Sequence, residues 1–397
     1  MKNKIFIIII ALICLGIVVF FLYRIFQPAR PSEEGALPTG APLPTDVYGS
    51  PIATPTPLPT VTLTPEEISK LKIIASGEIL AFWPAATTTF QYFTPDGFWE
   101  VDYSISSPQP QKKDLGINFA NILGIEPSKI GKVLIKYVAS GATQAAYSVL
   151  DIQSRQLKNL DPNIKTATWS PDGQNIIFYY SDSPLYYQEN FKESSYLGQI
   201  DKNLANKKTL INFKASSDII LDWPTTTAVY ISQKPSGYVS QTVLTFDPKN
   251  KIFKPFAEGN GLILKWNTLG NYGLLFTTAE NGKAPTLKLI NKDQVILGTF
   301  PKLTLPGKCV FSKIEPVLYC AIPSEFNSNA VWPDDYYQGV FNQEEAIYKI
   351  NLQSLEAQPI IYSAVFEIQG IDLNSDESML VFYDKTSGNL YKWELSK

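Results

Sequence analysis

Seven short runs rich in Val, Ile, Phe and Tyr recur along this chain after residue 70. They are Thr89–Phe93, Lys132–Val138, Asn175–Tyr180, Ala228–Ser232, Tyr272–Thr277, Val317–Ile322 and Met379–Tyr383. Runs of this length and composition read as β-strands. Their starts lie 43, 43, 53, 44, 45 and 62 residues apart, a spacing that leaves room for four strands in each unit. Composition agrees. Only 18% of residues are charged and 13% are aromatic, a bias toward strands and away from helix bundles. The expected class is therefore all-β and repetitive.

The units share a local grammar. Residues 166–180 carry an inward apolar strand, the turn Ser170-Pro171-Asp172-Gly173 and a second strand. Pro fixes φ, Asp bonds its own backbone and Gly takes the positive φ. Residues 371–383 repeat the arrangement, and the hairpin at 90–102 resembles that at 381–393. At Trp169–Gly173 the chain resembles the TolB-type β-propeller repeat, whose signature is an aromatic-Ser-Pro-Asp-Gly turn followed by a strand. The other units match it in spacing and strand pattern. The resemblance implies a propeller of four-stranded blades around a channel, over about residues 70–397, and implies no specific activity. Seven blades are expected, at 77–118, 119–161, 162–214, 215–257, 258–300, 301–362 and 363–397, with six and eight as the rival counts. The last unit lacks a fourth strand, and the strand-like Leu71–Ile74 is expected to supply it and close the ring.

Two segments precede the propeller. Ile5–Tyr23 carries no charge, and as a helix it would span about 28 Å, near the thickness of a bilayer core. A cleaved signal peptide, a buried core helix and a lipoprotein Cys14 are the alternatives. The run is long, has no polar face and has no small-residue cut site. The expectation is a single transmembrane helix within residues 1–27, a cytoplasmic amino terminus and an extracytoplasmic propeller at a cell membrane. Residues 28–66 are rich in Pro and Thr and read as a disordered stalk, reaching about 100 Å if fully extended. The propeller domain then occupies 67–397. A hairpin turning at Lys313–Pro316 places Cys309 opposite Cys320, where a disulfide is expected; two buried thiols are the alternative.

For function, the most restrictive count is zero histidines. That excludes Ser-His-Asp and Cys-His catalysis and histidine metal ligands. With 34 basic against 37 acidic residues, no basic excess exists to hold nucleic acid. No cofactor or metal is expected. The two longest units carry insertions between their second and third strands, residues 181–194 and 323–345. Such loops leave one face of a propeller, and those of the third and sixth blades are expected to rise on opposite sides of the channel. The candidate binding residues are Trp332, Asp334, Asp335, Tyr336, Tyr337, Tyr186 and Tyr187. Trp332→Ala is expected to weaken partner binding with little loss of stability. The reading is a membrane-anchored recognition module for a protein, such as another envelope protein, or for a glycan, with no chemistry of its own. One alternative is a glycan-processing enzyme using Asp334, Asp335, Glu344 or Glu345. Another is a structural component of a cell-envelope complex.

Overall fold

A computed structural model describes residues 63–104, 108–115, 121–182, 194–215 and 218–395. Among them the strands form five four-stranded antiparallel sheets and one of seven strands. The larger sheet is two blades sharing the strand Ile252–Trp266. Its first part pairs with Ser240–Asp247 and its second with Tyr272–Thr278, the changeover falling at Asn260. Seven four-strand units result, with inner strands at Ala81–Pro84, Ile122–Pro127, Ile164–Trp169, Ile219–Thr225, the end of Ile252–Trp266, Cys309–Phe311 and Ile368–Leu373.

The apolar packing explains why the units stand side by side. Second strands are buried on both faces, so successive residues point into different cores. Val133 and Ile135 pack with Trp83, Phe93 and Phe98 of the first blade, whereas Leu134 packs with Ile176 and Phe178 of the third. Ile177 and Tyr179 then face Val229 and Phe246 of the fourth. Further clusters join the fourth blade to the fifth, the fifth to the sixth and the sixth to the seventh. The next joins the seventh to the first, with Val381 and Leu390 against Phe90 and Val101. One apolar cluster per neighbouring pair, returning to the start, is a closed ring: the fold is an all-β propeller.

The repeated turn has a repeated cause. Ser170 Oγ accepts from the Asn175 N–H at 2.9 Å, and Gly173 takes φ +71°. In the fifth blade Asn267 Oδ1 accepts from the Asn271 N–H, and in the seventh Asn374 Oδ1 accepts from the Met379 N–H. A short polar side chain just after the inner strand thus holds the first hairpin in each case. Closure uses the strand Leu71–Ser76, paired antiparallel with Asn389–Glu394, with Leu71 opposite Trp393 and Ser76 opposite Asn389. The helix Pro65–Lys70 leads into it through a capping box between Thr64 and Glu67. Glu67 also accepts from the Tyr362 N–H at 2.6 Å, which ties this entry to the sixth blade.

The expected cell-membrane address is corrected. Among the described residues no helix is long and apolar enough to cross a membrane. The helices Pro65–Lys70 and Asp334–Tyr337 have six and four residues, where a span needs about twenty. Residues 5–23, on which that expectation rested, lie outside the described residues, as does the Pro/Thr-rich segment up to residue 62. In the sixth blade Cys309 lies directly opposite Cys320 and the two are joined by a disulfide.

Candidate functional site

The strands Val317–Pro323 and Glu345–Asn351 pair over their whole length, so 324–344 must leave the sheet as a loop. Its centre is Trp332, which is 1% exposed. The indole stacks on Phe326 with ring centroids 4.2 Å apart and meets Phe341 edge-on at 5.3 Å. Its Nε1–H donates to the Asn327 carbonyl at 2.7 Å. Burial with a satisfied N–H makes Trp332 the core of the loop, and its expected role as a surface contact is corrected.

The loop is stapled to two other blades. Trp332 N–H donates to the Gly282 carbonyl at 3.1 Å, and Lys283 Nζ donates to the Asn329 carbonyl at 2.5 Å, both from the fifth blade. Asp334 Oδ2 accepts from the Gly237 N–H of the fourth blade at 2.6 Å. Asp335 Oδ2 accepts from the Val331 N–H at 2.7 Å. Glycine is required at both foreign contacts. A Cβ on Gly237 would lie 2.4 Å from the Trp332 carbonyl oxygen, and one on Gly282 would lie 2.5 Å from its nitrogen. These neighbouring segments also join second to third strands, so the insertion lies across the rim those loops share.

Beneath it sits a buried ion pair. Lys308 Nζ lies 2.5 Å from Glu345 Oε1, with Glu345 fully buried. Glu345 Oε2 also accepts from the Ile368 N–H at 3.0 Å. Burial pushes the Glu345 carboxyl up to about 7, against the opposing pull of Lys308. The Lys308 ammonium lies 4.7 Å from the centroid of the Tyr336 ring, which burial drives well above the ordinary phenol range. Beside them is a cavity of about 170 Å³ lined by Tyr336, Phe341, Glu367 and Lys385 among others. That is below the roughly 300 Å³ at which ligand pockets begin.

Large apolar side chains stand among the exposed residues of this rim. Tyr337 is 53% exposed and Val340 65%, and on the neighbouring loop Tyr238 and Val239 are 59% and 58% exposed. The Gly237–Asp334 bond holds these two loops together. Of the residues read from sequence, the fold thus gathers Trp332, Asp334, Asp335, Tyr336 and Tyr337, and leaves only Tyr337 strongly exposed. Tyr186 and Tyr187 lie outside the described residues. Tyr238, Val239 and Val340 were not anticipated, because short apolar stretches in turns carry no signal until their surroundings are known.

A second set of groups lies in the throat. Near the end of each inner strand lie, in blade order, Phe82, Glu126, Thr168, Asp222, Lys265, Val310 and Asp372. Glu126 of the second blade feels Asp222 of the fourth, and Lys265 of the fifth feels Asp372 of the seventh. Blades that are not neighbours come together around the central channel, so Glu126, Asp222, Lys265 and Asp372 lie toward it. Burial pushes Glu126 up to about 7, despite donation from Trp169 N–H and Thr168 Oγ–H, and Asp222 up to about 6, despite Lys265. Burial also lowers Lys265, whose Nζ donates to the Cys309 carbonyl at 2.6 Å. Among the described residues no group of three or more Asp, Glu or Cys is placed to hold a metal ion.

A closed ring of four-stranded blades with side chains converging on its throat defines the class: this is a β-propeller protein. No known protein family and no curated protein matches the chain. Solved structures do. An oligogalacturonate lyase in complex with manganese is similar at a TM-score of 0.54 and 9% identity, over 82% of this chain and 91% of that one. An oligogalacturonate lyase from Vibrio parahaemolyticus gives 0.55 and 9%, over 82% and 92%. The β-propeller domain of the Trilobed protease from Pyrococcus furiosus gives 0.51 and 10%, over 81% and 97%. At such identities the likeness is one of fold.

The expectation that the chain is not an enzyme is corrected on this ground. A lyase uses this fold over nearly its whole length, so a propeller fold does not argue against chemistry. Of the carboxylates named for glycan processing, Asp334, Asp335 and Glu345 are otherwise engaged, Glu345 in the ion pair with Lys308. Asp334 and Asp335 both accept from backbone N–H groups that hold the loop in place.

Proposed function

We propose that this propeller is a recognition module that engages a protein partner with the rim carrying the 324–344 insertion. The observation that supports this is the exposure of Tyr337, Val340, Tyr238 and Val239 on two loops locked together by Asp334. Large side chains held outward on a preorganised frame lose little freedom on binding, and aromatic anchors carry a disproportionate share of interface energy. The buried Trp332 serves as the post on which this surface is built.

The test is cross-linking of the full chain in its source cells, compared with a Tyr337→Ser/Val340→Ser variant. Losing one anchor of about 2 kcal/mol corresponds to roughly a 30-fold weaker complex. The expected result is loss of the cross-linked partner with an unchanged melting temperature. Equal recovery by the variant places the contact surface elsewhere on the molecule.

A further inference from the structure

Phe82 of the first blade and Asp372 of the seventh both line a cavity of about 390 Å³ between those blades. Its other walls include Ile79, Leu80, Ile371 and Tyr383. The size lies within the range of small-molecule sites. The lining residues are mostly apolar by type, the surface they present to the cavity is more polar than apolar, and the one charged side chain is that of Asp372. Asp372 Oδ1 accepts from the N–H of the next residue, Leu373, at 2.8 Å. Lys265 and Lys313 act on this carboxylate electrostatically, and neither lines the cavity. Along the throat the acidic positions Glu126, Asp222 and Asp372 outnumber Lys265, and burial pushes all three carboxyls above their ordinary range. Phe82 also lines the cavity, and its ring edge packs against Gly370, where a Cβ would stand 3.1 Å from Phe82 Cε1.

We infer that this cavity is a binding site for a small organic ammonium ion, with the cation on Asp372 and the apolar body against Phe82 and Tyr383. A carboxylate supplies the charge-assisted hydrogen bond and an aromatic face supplies the cation–π contact, while the aliphatic walls take the rest of the ligand. The inference concerns a place in the molecule separate from the rim surface and stands without it.

The probe is phenethylammonium chloride, titrated into the full chain and followed by calorimetry. A fragment of this size held by one ion pair is expected to bind with Kd of about 0.1–1 mM. The uncharged analogue 2-phenylethanol is expected to bind at least about tenfold more weakly. Asp372→Asn keeps the acceptor for Leu373 N–H and removes the charge, and is expected to cost the same factor of about ten. Should that variant fail to fold, Gly370→Ala is the second arm: its methyl presses on the Phe82 ring and is expected to reduce binding with Asp372 intact. Equal affinity for the alcohol and the ammonium, undiminished binding in either folded variant, or no heat up to about 20 mM probe would each overturn the inference.

Discussion

At the scale of single residues, the throat carboxylates are the least comfortable groups in the molecule. Glu126 spends one oxygen on Thr168 Oγ–H and Trp169 N–H of the next blade, yet burial lifts its carboxyl from 4.5 to about 7. The sign follows from proton counting. Between about pH 4.5 and 7 the folded chain keeps a proton that the unfolded chain has lost, so stability falls as pH rises through that window. Asp222, raised to about 6, acts in the same direction. Glu126→Gln keeps an acceptor for both donors and removes the titration. Guanidinium melts at pH 5 and pH 8 should show the variant gaining stability at the higher pH, by up to about 3 kcal/mol. A variant with the same pH dependence as the parent would mean that Glu126 is solvated in the folded state.

At the scale of elements, the insertion behaves as a small extra core between the sheet and the solvent. Trp332 packs in the same cluster as Phe276, Leu289 and Cys320, so it joins the fifth blade to the sixth. Read from sequence, Trp332→Ala was expected to spare stability; its burial reverses the expectation. Removing so large a buried side chain should cost about 3–5 kcal/mol and lower the melting temperature clearly. Gly282→Ala should act in the same direction, because the added Cβ meets the Trp332 backbone and φ at that glycine is +66°. Thermal melts of the two variants check this. A Trp332→Ala protein melting like its parent would show that the loop contributes nothing to the blades beneath it.

At the scale of the whole molecule, the ring depends on a strand from the far end of the sequence. Leu71–Ser76 covers the edge of Asn389–Glu394, and Ile74, 2% exposed, joins the cluster that ties the last blade to the first. Ile74→Ala should cost about 2–5 kcal/mol. A chain beginning at Gly77 should do worse, because it leaves an unpaired edge that invites association. Size-exclusion chromatography beside melting checks both. A stable monomer from the shortened chain would mean that the interfaces alone hold the ring.

How much of this could be read from the chain follows from where each piece of information resides. Strand runs, the turn at Ser170–Gly173 and the period between units are local or repetitive, so sequence alone determined a propeller and the place of its closing strand. Charged residues next to an aromatic within an inner strand, as in Asp222-Trp223 and Lys265-Trp266, were legible too, but not which of them face the channel. The fate of the insertion was not. Trp332, Asp334 and Asp335 look on paper like exposed contact residues. What holds the Trp332 backbone and occupies Asp334 comes from Gly282 and Gly237, on two other blades, the latter 97 residues away, and Phe276 of the fifth blade packs in the indole's cluster. Burial is a property of what folds over a side chain. Tertiary structure therefore decided that Trp332 is a post, that Tyr337 and Val340 form the surface, and that Asp372 and Phe82, from opposite ends of the chain, share one cavity.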